Sequence, residues 1–476
     1  MPRRGANAIL LGWFVLSLGW ISQDRMLRDG DEEGHVGAAE LFLGDLDAAN
    51  WVGFFERLWV GPMGEYPQAF TAAVGFWWWL IGVGQPGHVA VRGICLLSLV
   101  IAAVSTGRIA RRYVREESRG VAEAATLMAV LALPLCNGLA RHFMPEGALI
   151  AAVSVSLLLA HRLVERPGLV RALLLGLSLG LGMLTKQTFL FLVLAPLVLV
   201  LIRMGRSGFA WLLLVGTTSC VVAVPWMLQN GADQVSYGLS SVLGHGDGGV
   251  WDHLEFYPLS LFVLGLGPVL SLGLIAAFWK LRNLHDRRAL WLGTAWLLGG
   301  LAILILVPKK YPRLMAPLLP GAALCIGIAI AQMRFSMRWL WGLSGTALAW
   351  LALVSSMDLS LQPARPAIDP GCPQVWLRPP QSDDLGMRAV ESALFDAPPG
   401  AVLVIGDPPI PCSIQTTHDW SSHLSPWLRR SGTERAVVLD ADRAHGVVVD
   451  WLSGPGQAID VPLLGATAYI RDSLEP

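Results

Sequence analysis

Eleven apolar stretches recur along this chain, at residues 7–23, 89–107, 121–139, 147–164, 170–185, 188–202, 209–228, 258–279, 289–307, 314–333 and 337–357. Roughly 20 such residues in a helix cross the hydrocarbon core of a bilayer. A backbone inside hydrocarbon must satisfy its own hydrogen bonds, so the runs are read as helices. That predicts an all-α polytopic membrane protein of about eleven transmembrane helices. With 54% hydrophobic and 15% charged residues, a soluble globular protein is excluded. Zero formal net charge offers no basic face, so nucleic acid is dropped as a partner. The first run follows Met1-Pro2-Arg3-Arg4 without a small-residue cleavage site, so it is expected to stay as an anchor.

A further apolar piece, residues 69–83, is short and ends in Trp77-Trp78-Trp79, an interfacial signature. Read as a juxtamembrane helix, it leaves eighteen Lys and Arg in the short loops of one side and eight on the other. The positive-inside rule then makes the richer side cytoplasmic and turns Asp29-Gly30-Asp31-Glu32-Glu33-Gly34-His35 outward. The expected address is the inner (plasma) membrane, with the charged site facing the periplasm or exterior. Residues 36–42 and 51–60 are amphipathic and are expected to lie along the membrane surface. Residues 229–257 hold His245, Asp247, Asp252, His253 and Glu255 and read as a mobile loop; the metal question stays unknown, with no cofactor certain and a divalent ion left open.

Beyond Met357 a proline-rich linker leads into a polar tail, dividing the chain at 1–358 and 359–476. Short buried strands at 401–405, 436–439 and 447–449, with a helix at 383–395, suggest a small soluble α/β domain. Cys95, Cys136, Cys220 and Cys325 fall within apolar runs as small hydrophobes. Cys372 and Cys412 alone lie in the outer domain, where an oxidising environment favours a bridge between them.

Basic residues also stand on the side that the positive-inside rule tells them to avoid. Arg141 and Glu146 bracket one outer turn, Lys186 sits at another, Lys309-Lys310-Tyr311-Pro312-Arg313 follows a span, and Arg92 lies near the outer start of its own. Such charges call for an anionic partner, and a phosphate suits the charge-assisted donors of Lys and Arg.

The order of these features resembles a known family. Asp31-Glu32 after the first span, Glu65-Tyr66-Pro67-Gln68 before a short apolar helix, Arg141 to Glu146, Gly180-Leu181-Gly182-Met183-Leu184-Thr185-Lys186, Pro225-Trp226 and Ala316-Pro317-Leu318-Leu319-Pro320 are similar to the GT-C glycosyltransferases. The likeness is to the branch of the aminoarabinose transferases and the dolichyl-phosphate-mannose protein mannosyltransferases, over residues 7–335. Glu146 stands where that family often has Asp, and Tyr66-Pro67-Gln68 replaces a Pro-Pro pair. Gly176 and Gly180 are read instead as a helix-packing pair.

The resemblance implies transfer of a sugar from a polyprenyl-phosphate donor to an extracytoplasmic lipid, glycan or protein, with inversion. It implies that Asp31 is the general base, with Glu32 beside it. Lys186, with Lys309, Lys310 or Arg313, would hold the donor phosphate. Arg141 and Glu146 would line the sugar or acceptor cleft, and Tyr66, Arg92 and Tyr311 join the substrate-binding set. The competing classes are a transporter or flippase of lipid-linked sugars and a non-catalytic envelope-assembly subunit. Neither an inverted repeat nor a matched pair of broken helices is visible to favour transport.

Overall fold

The computed structural model describes residues 2–23, 30–60, 67–82, 88–243, 250–283, 287–306 and 312–333, residue 349, and strand segments at 402–405, 437–439, 456–461 and 466–471. The helical part begins with α1 (Pro2–Gln23), α2 (Gly30–Asp47), α3 (Trp51–Val60) and α4 (Ala69–Leu80). It continues with α5 (His88–Ala110), α6 (Arg119–Leu131), α7 (Pro134–Ala140), α8 (Pro145–Glu165), α9 (Leu169–Thr185) and α10 (Phe189–Leu201). α11 (Phe209–Leu243), α12 (Val250–Ser260), α13 (Gly267–Arg282), α14 (Arg288–Leu306) and α15 (Leu319–Gln332) complete it. Each expected span except 337–357 coincides with a helix or a broken pair of helices; apart from residue 349, that last one lies outside the described residues.

Length and apolarity qualify five segments among the described residues as crossing on their own: Ala90–Tyr113, Pro145–Glu165, Arg206–Ala232, Arg288–Ile305 and Pro312–Gln332. A sixth is broken, with Glu116–Leu131 and Pro134–Ala140 meeting at 67°. α4 has 12 residues and reaches only about 18 Å at 1.5 Å per residue, too short to cross. It packs on α2 instead, where the Cβ position of Gly75 lies 2.7 Å from the Ala39 carbonyl oxygen.

Two features depart from the sequence reading. The 229–257 stretch is helical except for the undescribed 244–249, because α11 runs on to Leu243 and α12 starts at Val250. Although glycine-rich, the stretch carries no proline to end the helix before Pro258. Secondly, helices are broken. Pro134 offers no N–H and starts α7 afresh, and a π-turn over Leu261–Gly265 separates α12 from α13, with Gly267 at φ +66°.

The α6–α7 break is bridged by Asn137. Its side-chain amide reaches the Leu131 carbonyl and donates to that of Leu133 at 3.1 Å, which also accepts the Asn137 backbone N–H at 3.0 Å. Asn137 Oδ1 accepts from the Trp13 indole at 2.6 Å, tying α1 to the bend. The whole set is buried.

Packing elsewhere relies on small residues. Gly176 and Gly180 let α9 approach α11, since a Cβ there would lie 2.6 Å from Thr218 Cβ and 2.6 Å from Val222 Cβ. The helix-packing reading of that glycine pair holds. Large apolar side chains such as Leu213, Val221, Leu228, Leu272 and Trp279 stay exposed on the outside of the bundle, the surface that lipid would cover. Cys220 is exposed on α11, unlike Cys95, Cys136 and Cys325, which are buried as expected.

The four strands β1 (Val402–Ile405), β2 (Val437–Leu439), β3 (Gly456–Val461) and β4 (Ala466–Arg471) form one sheet ordered β2-β1-β4-β3, with β1 and β2 parallel and the other pairs antiparallel. The first two match expected strands. Residues 447–449, the helix at 383–395, Cys372 and Cys412 lie outside the described residues.

Candidate active site

Three of the charged residues singled out above, Glu146, Lys186 and Arg313, come together at the start of α8. α8 opens with Pro145 at its first position, where the missing N–H costs nothing, and this puts Glu146 in the first turn, at the positive end of the helix dipole. α9 runs the other way and ends at Thr185, whose hydroxyl donates to the Leu181 carbonyl at 2.9 Å. Lys186 is the extended cap residue at that helix's negative end. Lys186 Nζ donates to Glu146 Oε1 at 2.6 Å, so each charge is favoured by its own helix terminus as well as by its partner.

Arg313 arrives from a third direction. It lies in a 3₁₀ segment, Pro312–Leu318, whose Pro317 carbonyl accepts from the Trp296 indole at 2.9 Å and whose Ala316 carbonyl faces the Cys136 thiol at 3.7 Å. So held, Arg313 places Nε 3.6 Å from the same Glu146 oxygen and Nη1 3.9 Å from Met144 Sδ. Side-chain exposure is 1% for Glu146 and 11% for both Lys186 and Arg313. Glu146 Oε2 has no hydrogen-bond partner among the described residues. One carboxylate oxygen thus meets two cations while the other is left to accept.

Two more cations flank this centre. Arg141, between α7 and α8, is buried with its guanidinium 5.2 Å from the Trp20 ring centroid. Burial pulls its pKa down to about 10, so it is still cationic at neutral pH. Trp20 also meets His142 edge-on at 6.3 Å. Arg92 is fully buried on α5, one turn ahead of Cys95, whose thiol faces the Met144 carbonyl at 3.8 Å beside the start of α8.

Asp31 and Glu32 fall in the first turn of α2, a favourable place for carboxylates, and their side chains lie outside the described residues. Tyr66, Lys309, Lys310 and Tyr311 lie outside them altogether. Trp20 and Asn137 were not among the expected residues. The signal for Trp20 was its position ending the first apolar run; Asn137 stood out only as an amide in an apolar segment. Among the described residues no three His, Cys, Asp or Glu side chains come together to hold a metal ion.

Residues 62–228 match a family model described as dolichyl-phosphate-mannose-protein mannosyltransferase. The fold is similar to the crystal structure of ArnT from Cupriavidus metallidurans bound to undecaprenyl phosphate, with a TM-score of 0.52 and 20% identity over 76% of this chain. It is equally similar to the apo form of that protein, at TM-score 0.52 and 20% identity over 78% of this chain. In both cases the matched region spans 66% of the other chain, just under two-thirds of its length. No curated protein sequence matches this chain.

Proposed function

From a chain with the GT-C fold, whose residues 62–228 carry the sequence pattern of the dolichyl-phosphate-mannose-protein mannosyltransferase family, we propose an integral-membrane glycosyltransferase. It moves a sugar from a polyprenyl-phosphate donor to a lipid, glycan or protein acceptor. The observation that carries this reading is the buried polar cluster at the start of α8, where Lys186 and Arg313 converge on Glu146 Oε1 while Oε2 stays without a partner among the described residues. Lys and Arg offer charge-assisted donors that phosphate oxygens accept, and a half-buried site strengthens such pairing. The ArnT relative was crystallised with undecaprenyl phosphate, a lipid of this kind.

In the reaction, an acceptor oxygen attacks the anomeric carbon as its proton passes to Asp31, with Glu32 beside it. The bond from that carbon to the phosphate oxygen breaks, and the electron pair goes to the phosphate. Attack opposite the leaving phosphate inverts the anomeric centre. Lys186 and Arg313, joined by Lys309 and Lys310, stabilise the growing charge, and such help counts because it is stronger in the transition state. Glu146 holds two of these cations in register and offers Oε2 to a sugar or acceptor hydroxyl. Arg141, Arg92, Tyr66 and Tyr311 complete the substrate-binding wall. In this reading the Arg-rich loops are cytoplasmic, the site and residues 359–476 face outward from the inner membrane, and Cys372 pairs with Cys412.

The test is transfer in proteoliposomes supplied with labelled polyprenyl-phosphate sugars. Asp31→Asn is expected to abolish transfer while donor lipid still binds, because the amide keeps the shape but accepts no proton. Near-normal transfer by Asp31→Asn with collapsed donor binding would make Asp31 a donor contact and pass the base role to Glu32 or Glu146. Lipid translocation without transfer by the unaltered protein would favour the transporter class.

A further inference from the structure

The outer half of α11 carries a second polar feature that the phosphate centre does not use. Trp226 follows Pro225, is 2% exposed, and its indole N–H is buried without a hydrogen-bond partner among the described residues. The indole N–H of Trp59, at the end of α3, is in the same condition. An indole nitrogen only donates, and buried donors in native proteins are almost always satisfied. Two such donors on neighbouring elements are the pattern of a site whose acceptors come from a ligand.

The two tryptophans belong to one corner. The side-chain amide of Asn230, itself buried, donates to the Trp59 carbonyl and to the Trp226 carbonyl, both at 3.0 Å. That latch joins the end of α3 to α11 and holds both residues in place. Helix register gives the corner its height. α9 and α11 run parallel: Gly176 meets Val215 and Thr218, and Gly180 meets Ser219 and Val222. One further turn on each helix brings residue 184 level with Trp226, two residues short of Lys186. The donors therefore stand at the height of the Lys186–Glu146 pair.

Resting on the reading of that pair as the donor-phosphate site, we propose that Trp226 and Trp59 bind the sugar of the polyprenyl-phosphate donor, their N–H groups donating to its oxygens. A sugar linked directly to the phosphate lies next to Lys186, and its hydroxyls are acceptors that a polyprenyl tail lacks. Indole faces also suit the apolar C–H faces of a pyranose or furanose ring.

The experiment measures binding of two kinds of lipid to the full chain in nanodiscs: undecaprenyl phosphate, and undecaprenyl phosphate bearing glucose, mannose, galactose or arabinose. The unaltered protein should prefer at least one sugar-bearing lipid over the bare phosphate. Trp226→Phe keeps an aromatic ring and removes the N–H. It is expected to weaken binding of the preferred sugar lipid five- to tenfold, leave bare undecaprenyl phosphate unchanged, and not lower the melting temperature. Trp59→Phe should act in the same direction. Equal losses for both lipids would make the contact one to phosphate or to the fold, and unchanged binding of both would mean that the donors meet only water; either result overturns the proposal. If the unaltered protein bound bare and sugar-bearing lipids equally, sugar recognition would fall while the phosphate site stood. If it bound neither, the donor-phosphate reading would fall with it.

Discussion

α8 carries a glutamate near each end, and the two live in opposite circumstances. Glu146 at the start is buried, pairs with Lys186 and approaches Arg313, residues from two other parts of the chain. Glu165 at the finish is 48% exposed and pairs with Arg112. Near Glu165 the ion pairs are partly exposed and join one cation to one carboxylate, Arg111 to Glu123 at 2.9 Å and Arg119 to Glu116 at 3.6 Å. Around Glu146 two cations from separate segments converge on one buried carboxylate oxygen. Solvated ion pairs contribute little, whereas buried charge must be compensated. The difference teaches that residue type along a helix says less about role than the burial of the charge and the partners that converge on it.

The comparison is broken most directly by Glu146→Ala. Removing that carboxylate takes away the buried counter-charge that Lys186 and Arg313 share. The expected cost is about 3–5 kcal/mol in reversible unfolding in mixed micelles, as for the loss of one partner of a buried pair. A cost below about 1 kcal/mol, the range of exposed pairs, would show that water reaches this end as freely as the other. Added polyprenyl phosphate should return part of the lost stability, because it supplies negative charge to the same cations.

Lys186→Ala sharpens the same contrast on the ligand side. Donor affinity should fall by about 1.5–3 kcal/mol, the range for a hydrogen bond to a charged group. In equilibrium binding of a polyprenyl-phosphate sugar this reads as a loss of roughly ten- to 150-fold. Unchanged affinity would restrict Lys186 to holding Glu146. The smallest effect belongs to Glu165→Gln, expected to cost less than about 1 kcal/mol and to leave transfer unchanged. A large effect there would mean that the two ends of α8 are not as different as their exposure suggests.

The apolar runs and their order were legible in the sequence, because a helix in lipid is a local solution that each segment reaches by satisfying its own backbone. Glu146, Lys186, Arg141 and Arg313 could be picked out as charges in costly places. Their mutual arrangement could not. Glu146 and Lys186 are 40 residues apart, and only the antiparallel pairing of α8 with α9 puts one helix's first turn against the other's last. Arg313 needs the 3₁₀ segment that Trp296 and Cys136 hold in place. The Asn137 bridge to Trp13 spans 124 residues and shows itself only when the bend at Pro134 exists to be bonded. The reading of 229–257 as a loop gave charge and glycine too much weight, and helix continuity decided otherwise. The sequence by itself determined which segments are apolar enough to form helices in lipid and which charges stand out among them. Only the tertiary structure decided which charges meet, because buried electrostatic pairing depends on distances of a few ångströms between segments that no local pattern brings together.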